Sequence, residues 1–347
     1  MNNRQRVLTA LSHKQPDKVP YDIRFTQKAH ARMAQYYGDP DFASKLGNCF
    51  TWIRPYLGAE SFVEVRPDVW RDEFGVLWDR RIDKDIGVVC NRLVTPDNVN
   101  DFEFHDASNP AKYDIIDETI KATKGGVFLV SLGFSLFERA WTLAGMENVL
   151  MAMAADKDFA NTLLDRILDF NLTVIENACS RNIDIFRFGD DWGHQRGLLM
   201  GPVLWREFIK PRFKTMCRLV KSKGKFVMLH CCGKVDEIFG ELIECGLDIF
   251  NPFQPEVIDV FEAKKTYGSK MSFYGGISVQ RTLPFGTPAQ VREEVKKLID
   301  IVGKNGGYIA SGSHDIPPDA KPENVAAMIE VLQFNFLPQR HQDTKSF

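Results

Sequence analysis

No stretch of this 347-residue sequence approaches the roughly 20 apolar residues that a membrane span requires. Charge of one sign is not in excess either: 44 lysines and arginines face 46 aspartates and glutamates, a net charge of -2. That balance supplies neither the basic surface that nucleic acid demands nor an acidic solvating tail, so neither nucleic acid nor membrane is an expected partner. The seven cysteines, at 49, 90, 179, 217, 231, 232 and 245, form no regular framework, and a chain of this size needs none. The opening stretch MNNRQRVLTALSHKQPDKVP lacks the apolar core and small-residue cleavage site of a signal peptide. Reduced thiols in a cytoplasmic protein are expected. No strand is followed by a Gly-rich dinucleotide turn, and GGI at 275–277 lacks the spacing, which disfavours a Rossmann fold. Internal repeats, low-complexity segments and any Ser-His-Asp or Cys-His nucleophile spacing are also missing.

What the sequence does contain is rhythm. The Arg4, Leu8, Leu11 spacing predicts a short amphipathic helix, and YDIRF (21–25) a first strand, followed by short helical pieces. SFVEVRPDVWRDEFGVLWDRR (61–81) alternates around a turn at Glu73-Phe74-Gly75, which predicts an accessory hairpin within an N-terminal segment of about 120 residues. A polar, Pro/Asn/Asp-rich connection follows at 95–112. From residue 125, buried strands alternate with helical patterns: GGVFLVSLG, DIFRFGDD, KFVMLHCCG, LDIFNPFQ, MSFYGGIS and GYIASGSHD, with a last helix over roughly 322–335. Such alternation implies βαβ units and a parallel sheet. Adding YDIRF and FVEVR gives about eight strands, so a single α/β domain over 1–347, a TIM-type (β/α)8 barrel, is expected.

In such a barrel, function gathers at the C-terminal ends of the strands. Here those ends carry Asp190 and Asp191, His230 and Cys232, Asn251 and Gln254, Tyr274, then Ser311, Ser313, His314 and Asp315. Apolar runs that end repeatedly in polar groups mark a site. Side chains alternate along a strand, so His230 and Cys232 share a face while Cys231 points away. An H-x-C pair can give zinc one nitrogen and one sulfur, and a third ligand must come from another strand end. His314 is the first candidate; Asp190, Asp191 and Asp315 are alternatives. Small buried cysteines beside a hydrogen-bonded histidine would be the plain structural reading.

Asp190 and Asp191 are candidates for acid/base or substrate-binding roles, against the alternative of a carboxylate capping the next helix. Arg24, at the end of the first predicted strand, could meet an anionic substrate or form a surface ion pair. Glu138 and Arg139 lie near a strand end; Asp72 and Glu73, in the hairpin, are expected to be solvated. In DDWGHQRG, Asp191 and His194 are one residue too far apart for the D-x-H-x-x-G loop that ligates corrinoid cobalt.

Several stretches together resemble the uroporphyrinogen decarboxylase superfamily over nearly the whole chain: RQRVLTALSHKQPDKVPYD, FRFGDDWGHQRGLLMGPVLWREFIKPRFKTM, MLHCCGKVDEIFGELIECGLDIFNPFQPE, FYGGISVQRTLPFGTPAQVREEV and YIASGSHDIPPDAKPEN. The resemblance implies a distorted (β/α)8 barrel. It is nearer to the zinc-dependent methyltransferases of corrinoid systems than to the true decarboxylases. The decarboxylases' arginine-rich signature of the type FMRQAGRY is replaced here by YDIRFTQKAHARM. The methyltransferase branch carries H-x-C, matched by His230 and Cys232, plus a distant cysteine, for which His314 of GSHDI stands. By that resemblance the chain would bind zinc and move a methyl group between a small methylated compound (a methoxy compound, as in an O-demethylase, would fit) or a thiol and a cobamide on a separate carrier protein. Asp190, Asp191 and His314 would be catalytic; Arg24, Asn251, Gln254, Tyr274 and Ser311 would bind substrate in a pocket without an arginine cluster. A homo-oligomer is compatible with this. The alternatives are a metal-free decarboxylase of a porphyrinogen-like acid and a non-catalytic barrel that binds a small molecule or tetrapyrrole.

Overall fold

Seven short runs rich in β-branched and aromatic residues form one parallel sheet in the computed structural model, which describes residues 1–55 and 61–334. They are β1 (Phe50–Ile53), β2 (Val127–Leu132), β3 (Ile185–Gly189), β4 (Phe226–His230), β5 (Ile249–Phe253), β6 (Ser272–Ile277) and β7 (Tyr308–Gly312), paired in that order. Helices link β2 to β7 in sequence, among them Phe137–Ala144, Lys157–Cys179, Lys210–Ser222 and Pro288–Ile301. The last helix, Pro322–Phe334, ends at the final described residue, so the end expected near 335 lies outside the described part.

The predicted strand YDIRF is not a regular strand. It is an irregular eighth stave that joins the two edges of the sheet. Asp22 N donates to Ala310 O (3.1 Å), Ala310 N to Pro20 O (2.9 Å), and Cys49 N to Tyr21 O (3.1 Å). FVEVR is no part of the barrel. It belongs to a four-stranded antiparallel sheet, Val63–Arg66, Val69–Arg71, Leu77–Asp79 and Val88–Val89, inserted after β1. The barrel strand that pattern reading missed is β1, whose FTWI is too short for its alternation to stand out. The hairpin's turn lies where expected, with Gly75 at φ +84. Asp72 is buried rather than solvated: it accepts from Phe74 N, Val76 N and the Trp78 indole, and it pairs with buried Arg139. Glu73 is paired with Lys112.

Strand parity organises the interior. Leu129, Ile185, Met228, Ile249 and Ile309 face inward as one apolar cluster, which Val7 and Leu11 of the helix Asn3–Leu11 join. Two residues further along each strand, on the same face, stand Ser131, Arg187, His230, Asn251 and Ser311. Apolar packing therefore occupies one layer of the barrel, and polar groups line a cavity in the next.

Candidate active site

The cavity, about 520 Å³, opens at the C-terminal ends of the strands and is roofed on one side by Phe62, Trp78 and Arg80 of the inserted sheet. That size suits a single small molecule.

On one side of it, His230, Cys232 and His314 converge: one ligand atom from each lies within 4.8 Å of the others. Cys232 Sγ is 3.5 Å from His230 Nε2. Tetrahedral zinc, with bonds of about 2.1 Å to nitrogen and 2.3 Å to sulfur, would hold such a pair about 3.6 Å apart, so the observed spacing suits it. His230 Nδ1 lies 2.6 Å from Asn251 Oδ1, and the Asn251 amide donates to Tyr274 O. With its oxygen facing the ring, Asn251 requires Nδ1–H and leaves the Nε2 lone pair for a metal. Cys232 N donates to Asp191 Oδ1 (2.8 Å), and Gly233 N to Gln254 Oε1 (3.3 Å). Behind this turn, a Cβ on Gly233 (φ +89) would stand 2.6 Å from Gly193 C, so two loops meet backbone to backbone and fix Cys232 beside Asp191. Cys231, as parity requires, is buried on the other side, where its sulfur accepts from Trp192 N.

Burial, followed by the charges of Arg187 and His314, pushes the His230 pKa well down and keeps the ring neutral, the form that ligates a metal. Burial and the Asp191 carboxylate push the Cys232 thiol up. A cation among these three side chains would reverse that penalty and favour the thiolate.

The aspartate pair divides. Asp191 lines the cavity together with Glu138; burial raises both carboxyls, and for Glu138 repulsion from Asp191 and Asp190 adds to the effect. Asp190 stays out of the cavity. It is 1% exposed and accepts from Leu136 N, Phe137 N, Glu138 N and the Trp192 indole, thereby capping the helix Phe137–Ala144, which has no capping side chain of its own. Gln254 is likewise behind the site, buried against the Gly233 turn. Arg24, Asn251, Tyr274 and Ser311 do line the cavity. The Tyr274 hydroxyl donates to Asp22 (2.6 Å), which also accepts from the Trp52 indole (2.9 Å). Arg24 pairs with Asp315 at 2.9 Å and stacks over Trp52 at 4.0 Å. Asp315 is thus engaged away from the His230–Cys232 pair.

The expectation of a pocket without clustered arginines is corrected: Arg24, Arg54, Arg80 and Arg187 all line it. Arg54 follows the unrecognised β1, and Arg187 lies inside the run IFRFG. There, Phe186 and Phe188 face outward into the core, so period two already turns Arg187 inward.

Residues 79–333 match the uroporphyrinogen decarboxylase (URO-D) family. Among curated relatives, a methylated-thiol–coenzyme M methyltransferase of Methanosarcina mazei is 26% identical over 198 residues, 56% of this chain and 52% of its own length. The methylcobamide:CoM methyltransferase MtaA of Methanosarcina barkeri is 29% identical over 131 residues, 38% of this chain and 36% of that protein. The match therefore spans about half of the first relative and about a third of the second. A uroporphyrinogen decarboxylase of Coxiella burnetii is 23% identical over 292 residues, covering 80% of this chain and 77% of its own. In three dimensions a methyltransferase from Methanosarcina mazei superposes with a TM-score of 0.68 over 96% of this chain and 98% of that one, at 17% identity, and so shares the fold.

Proposed function

The chain belongs to the uroporphyrinogen decarboxylase family, and on that footing we propose that it is a zinc-dependent methyltransferase of a corrinoid system. It would move a methyl group between a small methylated compound and a cobamide carried by a separate protein. The observation that carries this reading is the convergence of His230, Cys232 and His314 at the mouth of a small-molecule cavity. The names of two relatives that match part of the chain support it.

Zinc at this site would act as a Lewis acid on the heteroatom that bears the methyl group, stabilising the charge left there. The residues of the chain do the rest. Asn251 holds His230 in the tautomer that presents Nε2. Asp191 anchors the backbone at Cys232, and Phe62 and Trp78 cover one side of the cavity in which the heteroatom would lie. As the methyl departs, the carbon–heteroatom bond breaks with its electron pair left on the heteroatom. The pair for the new bond to the methyl group would come from the reduced cobamide acting as co-substrate, and the heteroatom would then take up a proton.

Metal analysis of the purified chain tests this directly. About one zinc per chain is expected, lost in a His230→Ala, Cys232→Ala double variant. Methyl transfer should fall by about three orders of magnitude, as the loss of several kcal/mol of charge stabilisation predicts. His314→Cys should keep the metal and His314→Ala should lose it. A metal-free active protein, or release of carbon dioxide from uroporphyrinogen, would overturn the reading.

A further inference from the structure

The charges in the cavity do not balance. Arg24 has Asp315 as its counterpart. Arg187 has no carboxylate counterpart: Nη1 donates to Ser131 Oγ (2.7 Å), the guanidinium lies 5.3 Å from the centroid of the Trp52 ring, and Nε is shielded from solvent without an acceptor. Among the described residues no carboxylate lies within ion-pair distance of it. Burial and the neighbouring charges of Arg24 and Arg54 push its pKa down to about 10, which leaves it cationic at neutral pH. Glu138 and Asp191 share the cavity, but neither forms an ion pair with Arg187. A desolvated guanidinium without a counter-ion is costly, and its planar fork matches an oxyanion.

Its position is as informative as its charge. A Cβ on Gly189 would stand 3.3 Å from Arg187 Nη1, so the guanidinium reaches up over Gly189. Gly189 pairs with His230 across β3 and β4. The cation therefore rises into the cavity from the strand next to that of His230, on the same face of the sheet. Elsewhere in the same cavity, Phe62, Trp78 and Phe134 form a chain of rings with centroids 6.4 Å and 5.1 Å apart. Such a wall suits a flat apolar body.

We propose that the methyl donor is a methyl ether of an aromatic acid, with its carboxylate or sulfonate on Arg187 and its ring against Phe62, Trp78 and Phe134. Its methoxy oxygen would face His230, Cys232 and His314. This rests on the methyltransferase reading of the same site and selects the methoxy compound over the thiol. In the transfer the methyl–oxygen bond breaks, the pair stays on oxygen, cobalt(I) supplies the pair of the new bond, and the phenolate takes a proton to leave the free hydroxy acid.

Isothermal titration of the full chain, without cobamide, tests the proposal using 3-methoxybenzoate, 3-methoxybenzenesulfonate and the neutral 3-methoxybenzamide. At least one acid should bind about tenfold or more tightly than the amide, as a charge-assisted bidentate pair predicts. Arg187→Met should abolish that preference with Tm and zinc content unchanged, and Arg187→Lys should restore part of it. Acids that bind no better than the amide, or not at all at millimolar concentration, overturn the proposal. So does a preference that survives in a folded Arg187→Met protein. Should that variant fail to fold, the wild-type comparison and Arg187→Lys decide. Binding requires no methyl transfer, so the two readings fail separately. An acid preference in a protein without zinc would sink the methyltransferase and spare the anion site; a zinc-bearing methyltransferase without acid preference would sink the anion site alone.

Discussion

On one side of the barrel mouth, β4, β5 and the turn after β7 bring His230, Cys232 and His314 together, and the groups that orient the first two are satisfied by protein. Beside them, β1 to β3 gather Trp52, Arg54 and Arg187, and among the described residues no carboxylate pairs with the Arg187 guanidinium. The first arrangement is pre-organised: Asn251 and the interlocked glycine loops hold His230 and Cys232 in place through protein contacts alone. The second carries a guanidinium without a counter-ion, which the proposed carboxylate or sulfonate would supply. A site that binds a metal permanently and a substrate transiently would be expected to differ in this way.

The neighbours Asp190 and Asp191 sharpen the contrast between supporting and functional groups. Asp190→Ala should leave three backbone N–H groups and an indole unpaired, costing about 3 kcal/mol of stability and lowering Tm by several degrees. Asp191→Asn should fold with nearly the wild-type Tm and show its loss in turnover instead. Equal melting temperatures for Asp190→Ala and wild type would break the distinction.

A smaller effect is expected at the orienting amide. Asn251→Ala should weaken zinc about 10- to 100-fold in a competition with a chelator, without the complete loss caused by removing a ligand. Unchanged affinity would show that the His230 tautomer does not depend on Asn251.

The smallest effect concerns Asp22, beneath Trp52 and Tyr274, whose carboxyl burial raises to about 6. The folded state then keeps a proton that the unfolded chain releases near pH 4. This contribution to stability is complete below pH 4 and is lost as the pH rises toward 6. Denaturant melts should show Asp22→Asn losing less stability than wild type between pH 4 and 6. A parallel pair of profiles would mean that Asp22 ionises freely in the fold.

Much of this molecule could be read from its residues in order. Period two, applied to LHCC, separates His230 and Cys232 from Cys231 because side chains must alternate along a strand, whatever the fold. The six rhythmic strands after residue 125 announced a parallel barrel for the same reason: apolar runs of that length must be buried on both faces. Other features depended on contacts between distant parts of the chain. FTWI is too short to declare itself, and only its pairing with Val127–Val130 makes it a strand. Asp190 is a cap because a helix more than 50 positions earlier arrives with unmet N–H groups. His314 becomes a partner of His230 only when β7 and β4 curl around the same cavity. The local alternation of the backbone set which way each side chain points. Closure of the sheet, through long-range hydrogen bonds that no local pattern encodes, decided what each one meets.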